Sequence, residues 1–389
     1  MAINKPNYQH SIVNLAASIA HACGYSPINT TPLSILPPAN LKLKTNIVLV
    51  VVDGLGYRYL LEKANERGLK QHLKDSLTSV FPSTTASAIT SFVTAQCPKT
   101  HGATGWFMFL KELGTVAALL PFASRYGGAS LLQAGITPYD IIGVPSLFNQ
   151  LDRRAVVISP QHLIPSAFSE YAYQGAENIG YHDLTAFFEQ ITMTINRARE
   201  PQFVYAYWPE FDGLCHQHGI GSDVVFEHYL ALEAKFDTLF DAVQHSDSTI
   251  IITADHGLID TSIAQTVYVK DHPVLASCLS LPLCGEPRVA YCYVKVKHQQ
   301  TFERYVSNEL AEYCELHKTS DFIDAGYLGD GCAHPLLDDR LGDYVLLMKD
   351  HFIIKDQLLG ERIFQTIGVH GGLTEDELLV PFIRVDSSS

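Results

Sequence analysis

The chain has 389 residues, of which 47% are hydrophobic, and its 41 acidic against 27 basic residues give a formal net charge of −14. This balance, without a long block of Lys and Arg, disfavours binding to a nucleic-acid polymer or to an anionic membrane surface. The sequence also lacks an apolar run of about 18 residues, so we expect no membrane insertion. A small anionic substrate held by metal ions remains compatible with the acidic composition.

The N-terminal segment does not have the pattern of an export signal. Ile12–Cys23 is moderately apolar, but polar residues such as Asn14 and His21 interrupt it, which favours an amphipathic helix packed on the domain. Eight cysteines are scattered without the spacing of a disulfide framework. We therefore expect reduced thiols and a cytoplasmic protein, whereas the sequence does not indicate an oligomeric state.

Two apolar runs end at residue types that commonly bind metals. Ile47–Val52 is rich in β-branched residues, as is typical of a strand inside a parallel sheet, and Asp53 follows it. Thr249–Thr253 has the same character and leads into Asp255 and His256. A tight turn would explain Asp53 alone, but an adjacent Asp and His at a strand end seldom have a packing explanation, because both need buried partners. Ligands of open α/β sheets bind beyond the carboxyl ends of the strands, so we expect a site there.

A third strand pattern, Phe203–Trp208, is followed by Asp212 and His216. These two residues are four positions apart, so they face the same way on a helical turn and can offer two ligands to one metal. His370 lies in a glycine-rich loop ahead of the last strand candidate, Leu378–Val385. The third strand and this loop therefore add three candidate ligands.

The segment Ser79–Ala95 supplies hydroxyl groups. We expect a short strand that reaches Phe81, then a break, and then a helix opened by Thr84 or Thr85. A hydroxyl at that position is usually an N-cap. The N-terminus of a helix is also where backbone N–H groups hold a phosphate. Both interpretations stay open for these neighbouring residues.

Seven residues form the candidate site: Asp53, Thr85, Asp212, His216, Asp255, His256 and His370. Oxygen and nitrogen donors without thiolate suit Zn²⁺ best, and they also suit Mn²⁺ or Fe. Six protein ligands are enough for two ions with open positions, which is the arrangement used for in-line displacement at phosphorus. We therefore predict two divalent metal ions, most readily Zn²⁺.

Between these motifs the chain alternates strand and helix patterns. Helical spacing extends over Tyr57–Leu69, Leu184–Arg199 and Val224–Val243. Ala155–Ser159 is typical of a strand, and glycines punctuate the loop-rich region before it. The alternation predicts an α/β fold with a mostly parallel central sheet, helices on both faces and a loop-rich insertion.

The ordered motifs resemble the nucleotide pyrophosphatase/phosphodiesterase branch of the alkaline phosphatase superfamily. They are DG after the first strand, FPSTTASAITSFVTA, a Pro-x-x-His-Gly step at Pro98–Gly102, D-x-x-x-H, ADHG and HGG. Each piece is weak alone, but their order is specific, and the match covers residues 45–110, 203–260 and 365–385. One departure is Ala95, which stands where the family's VTG step has glycine. The sulfatase pattern C-x-P-x-R is absent after Cys97, which disfavours a formylglycine sulfatase.

The resemblance implies a single alkaline-phosphatase-like α/β domain over residues 1–389. Residues 96–200 and 260–365 would hold insertions that form a small cap. One metal would be held by Asp53, Asp255 and His256 together with the nucleophile oxygen, and the second by Asp212, His216 and His370. The nucleophile implied by the resemblance is Thr85, with Thr84 as the alternative, and it would form a phospho-threonine intermediate.

Three classes of function follow. The favoured one is a metal-dependent hydrolase that cleaves a phosphodiester or pyrophosphate bond in a small phosphate ester. The alternatives are a phosphomonoesterase on the same scaffold and a catalytically silent metal-binding pseudoenzyme. Monoesterases usually need an extra cation for the third charged oxygen, and no Arg lies close to a motif, so a diester is preferred. Trp106, in a glycine-flanked loop, and the backbone N–H of Ala86 are the candidate substrate contacts.

Overall fold

The main sheet of the protein is mostly parallel, as predicted. The computed structural model describes residues 5–27, 29–66, 68–361 and 365–387. In spatial order, the seven strands of the main sheet are Leu73–Thr78, Leu379–Asp386, Ser248–Thr253, Asn46–Val52, Gln202–Trp208, Arg154–Pro160 and Glu177–Tyr181. Leu379–Asp386 is antiparallel to both of its neighbours, and the other pairings are parallel.

The strand Asn46–Val52 lies at the centre of the main sheet. It pairs in parallel with Gln202–Trp208 on one side and with Ser248–Thr253 on the other. Every residue of Asn46–Val52 is buried, which requires cover on both faces and explains its continuous apolar sequence. Since Val51 pairs with Thr253, Asp53 and Asp255 leave the sheet side by side.

Helices cover this sheet. Ile12–Ala22 packs on Thr85–Thr94, and Leu184–Asn196 packs on Asp223–Val243. The remaining α-helices are Ala39–Lys42, Tyr57–Lys63, Pro98–His101, Pro138–Ile142, Ala167–Ala172, Glu210–His218, Pro273–Cys278, Gln299–Glu309, Thr319–Asp324, Leu337–Leu341 and Glu375–Leu378. Within the described ranges, none of these helices combines the length and apolarity needed to cross a bilayer.

A second sheet is antiparallel throughout. Its strands, in spatial order, are Cys314–Lys318, Tyr344–Met348, Val289–Cys292, Cys284–Glu286, Phe107–Leu110, Thr115–Ala118 and Ala123–Ser124. Two short ladders pair Ile259–Asp260 with Gly368–Val369, and Thr266–Tyr268 with Ile353–Lys355. The expected insertions, residues 96–200 and 260–365, both contribute strands to the second sheet, but Arg154–Pro160 and Glu177–Tyr181 belong to the main sheet. A cap function of the second sheet stays a prediction.

Several element boundaries differ from the sequence-based expectation. The helix expected over Tyr57–Leu69 ends at Lys63, because Glu233 binds the chain beyond it, accepting N–H groups from Asn65 at 3.0 Å and from Leu69 at 3.2 Å. The strand expected to reach Phe81 is Leu73–Thr78, and the helix expected to reach Arg199 ends at Asn196. All eight cysteines are free thiols.

Candidate metal centre

The carboxyl end of the main sheet brings the six predicted ligands into two groups. The first group is Asp53, Asp255 and His256, and the second is Asp212, His216 and His370. Within each group the ligand atoms all lie within 4.8 Å of one another. The parallel register of the central strands places the first group, and the short helix Glu210–His218 supplies two members of the second.

The first group is buried and has unpaired carboxylate oxygens. His256 Nε2 lies 3.3 Å from Asp53 Oδ1 and 3.5 Å from Asp255 Oδ2. Both oxygens are buried, and neither has a hydrogen-bond partner among the residues that the structure describes. The other oxygen of Asp255 accepts N–H groups from Gly54 at 3.1 Å and from His256 at 3.0 Å. Because leaving buried carboxylate oxygens unpaired is costly, these atoms fit a bound cation.

The second group repeats this arrangement beside the first. His216 Nε2 lies 3.1 Å from Asp212 Oδ2, and His370 Nε2 lies 3.9 Å from Asp212 Oδ1. Asp212 Oδ1 is likewise buried, and within the described ranges it has no hydrogen-bond partner. The rings of His256 and His370 stack with their centroids 3.8 Å apart, so the two groups adjoin.

Backbone carbonyls orient all three imidazoles. The Nδ1 atoms of His216, His256 and His370 face the carbonyl oxygens of Gly368, Gly257 and Ser83 at 2.7, 3.1 and 3.1 Å, respectively. A carbonyl oxygen can only accept, so each Nδ1 carries the proton and Nε2 is directed at the carboxylates. Metal-binding histidines are commonly oriented in this way.

The ionisation of the first group reflects crowded carboxylates in a low-dielectric site. Burial raises the pKa of Asp53 well above its usual value, and the charges of Asp255 and Asp212 raise it further. Burial also raises the pKa of Asp255. In the second group, burial lowers the pKa of His370 well below its usual value. A divalent cation favours the charged carboxylates and the neutral imidazole, so it would suit these residues.

Asp212 and His216 form an ion pair. Burial opposes the charge on Asp212, but the hydrogen bond and charge of His216 outweigh it and lower the pKa of Asp212 to about 2. Burial likewise opposes the charge on His216, but Asp212 raises the pKa of His216 to about 9. A metal ion at this group must therefore displace a proton from His216.

Thr85 and Thr84 point to different partners. Thr85 begins the helix Thr85–Thr94, and its Oγ1 lies 3.4 Å from Asp53 Oδ2 and 3.2 Å from His256 Nε2. Thr84 is the N-cap residue, but its side chain makes no capping hydrogen bond. Its hydroxyl instead donates to Glu286 Oε1 at 2.7 Å. The structure thus places the Thr85 hydroxyl, and not that of Thr84, against the first group.

Tyr207 is a contact that the sequence analysis missed. Its hydroxyl donates to Asp53 Oδ2, and the register that pairs Val51 with Tyr207 brings it there. Burial raises the pKa of Tyr207 well above its usual value, which keeps the phenol protonated as a donor. Inside a buried strand, such a residue has the sequence pattern of an ordinary packed aromatic.

Glu286 is the second missed residue. Its Oε1 accepts both the Thr84 hydroxyl and the backbone N–H of Trp106, each at 2.7 Å. Burial raises the pKa of Glu286 to about 7. The residue comes from the second sheet, distant in sequence from every motif. A lone Glu in a short strand carries no signal that could have identified it.

The two predicted substrate contacts, Ala86 and Trp106, come from two different segments near Thr84. Ala86 is fully buried in the first turn of the Thr85–Thr94 helix, where no side-chain cap occupies the backbone N–H groups. The Trp106 side chain is 36% exposed, and its backbone N–H is bound by Glu286. Glu286 therefore connects the loop of Trp106 to the residue before Thr85.

Comparisons with known proteins identify the family and the fold of the chain. The model of the type I phosphodiesterase/nucleotide pyrophosphatase family matches residues 47–124 and 131–373. No match was found among curated protein sequences. Murine ectonucleotide pyrophosphatase/phosphodiesterase 5 has a similar solved structure, with a TM-score of 0.62 and 17% identity over 86% of this chain and 87% of that one.

Two further solved structures share the fold. An inactive variant of the same murine protein, in complex with AMP, has a TM-score of 0.61 and 17% identity over 86% of this chain and 87% of that one. Phosphonoacetate hydrolase from Sinorhizobium meliloti 1021, in complex with phosphonoformate, has a TM-score of 0.63 and 15% identity over 88% of this chain and 90% of that one. The extent of the family match shows that the chain belongs to the type I phosphodiesterase/nucleotide pyrophosphatase family and is a hydrolase of that type.

Proposed function

We propose that this hydrolase cleaves a phosphodiester or pyrophosphate bond through a phospho-threonine intermediate on Thr85, at a site that holds two divalent metal ions. The observation that carries the proposal is the adjoining pair of ligand groups with the Thr85 hydroxyl against the first of them. Family membership supports the reaction class and the use of divalent metals.

The residues fit two divalent ions, one at each group. Asp53, Asp212 and Asp255 each keep one buried oxygen that no described residue hydrogen-bonds, and three imidazoles present Nε2. This set of oxygen and nitrogen donors suits Zn²⁺ best. When bound, the ions supply Lewis-acid stabilisation of negative charge on the Thr85 oxygen and the phosphoryl oxygens.

Thr85 supplies the nucleophile. Its hydroxyl loses a proton to solvent, and the Oγ1–phosphorus bond forms while the bond from phosphorus to the leaving oxygen breaks. Water then attacks phosphorus and releases Thr85 Oγ1, which regains a proton. We propose that the N–H of Ala86, in the first turn of the helix, binds a phosphoryl oxygen.

The substrate class that fits is a small phosphate ester of nucleotide type. One similar structure is a phosphodiesterase variant in complex with AMP, and another is a phosphonoacetate hydrolase in complex with phosphonoformate. Both ligands are small anions, as the proposal requires. The exposed side chain of Trp106 offers an aromatic face for a base.

A comparison of two chromogenic substrates tests the reaction. With Zn²⁺ or Mn²⁺ present, bis-(p-nitrophenyl) phosphate should be cleaved with a higher kcat/KM than p-nitrophenyl phosphate. The opposite order would identify a phosphomonoesterase. Cleavage of neither substrate by metal-loaded protein would instead support a metal-binding pseudoenzyme.

Tyr207→Phe should weaken metal binding at the first group. Removing a hydrogen bond that orients a ligand typically lowers metal affinity by about 10–100-fold. Tyr205→Phe is the matched control, because the buried Tyr205 hydroxyl has no hydrogen-bond partner in the part of the chain that the structure describes. Competition with a chelator of known affinity measures both variants, and equal affinities would show that the bond from Tyr207 to Asp53 does not support the metal.

Metal affinity at the second group should fall as the pH falls below 9. The raised pKa of His216, about 9, means that the ring is protonated at neutral pH, so metal binding must release this proton. Apparent affinity should then drop about tenfold per pH unit for each proton released. Calorimetric titration of metal in buffers of different ionisation enthalpy counts the protons, and release of none at pH 7 would contradict the expected displacement.

A further inference from the structure

We propose that Glu286 makes the site select phosphodiesters over phosphomonoesters, because it fixes a fourth carboxylate beside the metal centre. This inference rests on the proposed function, since it names the residue that sets the substrate charge at the same site. Glu286 is not among the six candidate metal ligands, and it comes from the second sheet.

The position of Glu286 is set by its two neighbours. On one side, its Oε1 accepts the hydroxyl of Thr84 at 2.7 Å. On the other side it packs on Gly371, where a Cβ atom would lie only 2.8 Å from the Glu286 Cβ. Thr85 directly follows Thr84 in the chain, and His370 directly precedes Gly371. The Glu286 side chain therefore contacts the two chain segments that carry the nucleophile and one metal ligand.

The side chain is also held in place. The same Oε1 accepts the Trp106 N–H at 2.7 Å, so one oxygen is anchored by two donors. Glu286 is only 9% exposed, and its backbone pairs with Val289 in the second sheet. The charge can therefore not swing away from the site when a substrate arrives.

The net charge of the site determines how strongly it discriminates between a diester and a monoester. When all four are ionised, the three aspartates of the ligand groups and Glu286 carry four negative charges, which balance the charge of two divalent ions. The nearby cation Arg288 is already paired with Glu377, through contacts of 2.9 and 3.0 Å. A diester brings one negative charge and an ionised monoester brings two. Each additional negative charge on the substrate, within about 10 Å of the Glu286 carboxylate and at an effective dielectric constant of about 20, lowers the affinity for that substrate roughly tenfold.

Glu286→Gln removes the charge and keeps the geometry. The Gln carbonyl oxygen can still accept from Thr84 and Trp106, and a neutral side chain is easier to bury than a carboxylate. At pH 9, where Glu286 is ionised, the preference in kcat/KM for bis-(p-nitrophenyl) phosphate over p-nitrophenyl phosphate should fall about tenfold. Glu286→Asp keeps the charge and shortens the side chain, so activity on both substrates should fall while the preference is retained.

A binding measurement separates this effect from catalysis. In the Thr85→Ala background loaded with metal, Glu286→Gln should tighten binding of inorganic phosphate, a dianion at pH 9, about a hundredfold, and binding of dimethyl phosphate, a monoanion, only about tenfold. Calorimetry at pH 9 provides both values. Glu309→Gln, the same change at an exposed position, is the control and should shift neither value.

These experiments distinguish a failure of the role assigned to Glu286 from a failure of the proposed function. If the unaltered protein prefers the diester and Glu286→Gln leaves both the kinetic preference and the phosphate affinity unchanged, the role of Glu286 is overturned and the proposed function stands. If the metal-loaded protein cleaves neither substrate, the proposed function itself fails, and the selectivity inference falls with it.

Discussion

Thr85→Ala is expected to lower kcat/KM by a factor of about 10³ or more while metal binding is retained, because the nucleophile is lost and all six side-chain ligands stay in place. The Thr85 oxygen lies 3.2 Å from His256 Nε2, and an alanine leaves that position without an oxygen. Steady-state kinetics on bis-(p-nitrophenyl) phosphate and elemental analysis of the same sample give the two measurements.

Two neighbouring variants serve as controls for Thr85→Ala. Thr85→Ser keeps the hydroxyl and should retain most of the activity. Thr84→Ala removes only the bond from Thr84 to Glu286, so we expect a milder loss, of about tenfold or less. If Thr84→Ala were the inactive variant and Thr85→Ala remained active, the nucleophile would be Thr84.

Asp53→Asn is expected to have the second large effect. It should lower activity when metal is present and raise the stability of the folded protein when metal is absent. With metal, activity should fall by a factor of about 10³ or more, because the first group loses an anionic ligand beside the nucleophile. Without metal, the folded protein should become more stable. The carboxyl of Asp53 is only 2% exposed, and burial beside Asp255 and Asp212 raises its pKa well above its usual value.

The sign of the stability change follows from linkage. A carboxyl whose pKa is raised on folding destabilises the folded state as the pH rises above its unfolded pKa, because ionisation then favours the unfolded chain. Asn has no such ionisation, so the melting temperature of the metal-free variant at pH 8 should exceed that of the unaltered protein. Zn²⁺ should raise the melting temperature of the unaltered protein more than that of Asp53→Asn. An equal rise in both would exclude Asp53 as a ligand.

The sequence was sufficient for the parts of the site that depend on regular periodicity. Continuous apolar runs predict the parallel strands, and the parallel register brings Asp53 next to Asp255. A four-residue interval predicts that Asp212 and His216 share a helical turn, and their side chains lie 3.1 Å apart in the structure. The mostly parallel central sheet is confirmed for the same reason, since buried parallel strands have a distinctive composition.

Contacts between distant segments could not be predicted. Glu286 comes from a short strand of the second sheet, and only the tertiary fold brings it to Thr84. Tyr207 looks like any other packed aromatic until the strand pairing places its hydroxyl on Asp53. The helix after Asp53 ends early at Lys63 because Glu233, far along the chain, binds the segment that follows. Short-range patterns contain no information about such partners.

The most direct test of the proposed mechanism is to trap the covalent intermediate. Bis-(p-nitrophenyl) phosphate is mixed with metal-loaded protein and quenched in acid, and the peptide that contains residues 84 and 85 is fragmented in a mass spectrometer. We expect an added mass equal to the substrate less its p-nitrophenol leaving group, located on Thr85 and absent from Thr85→Ala. An adduct on Thr84, or turnover without any adduct on this peptide, would contradict the proposed role of Thr85.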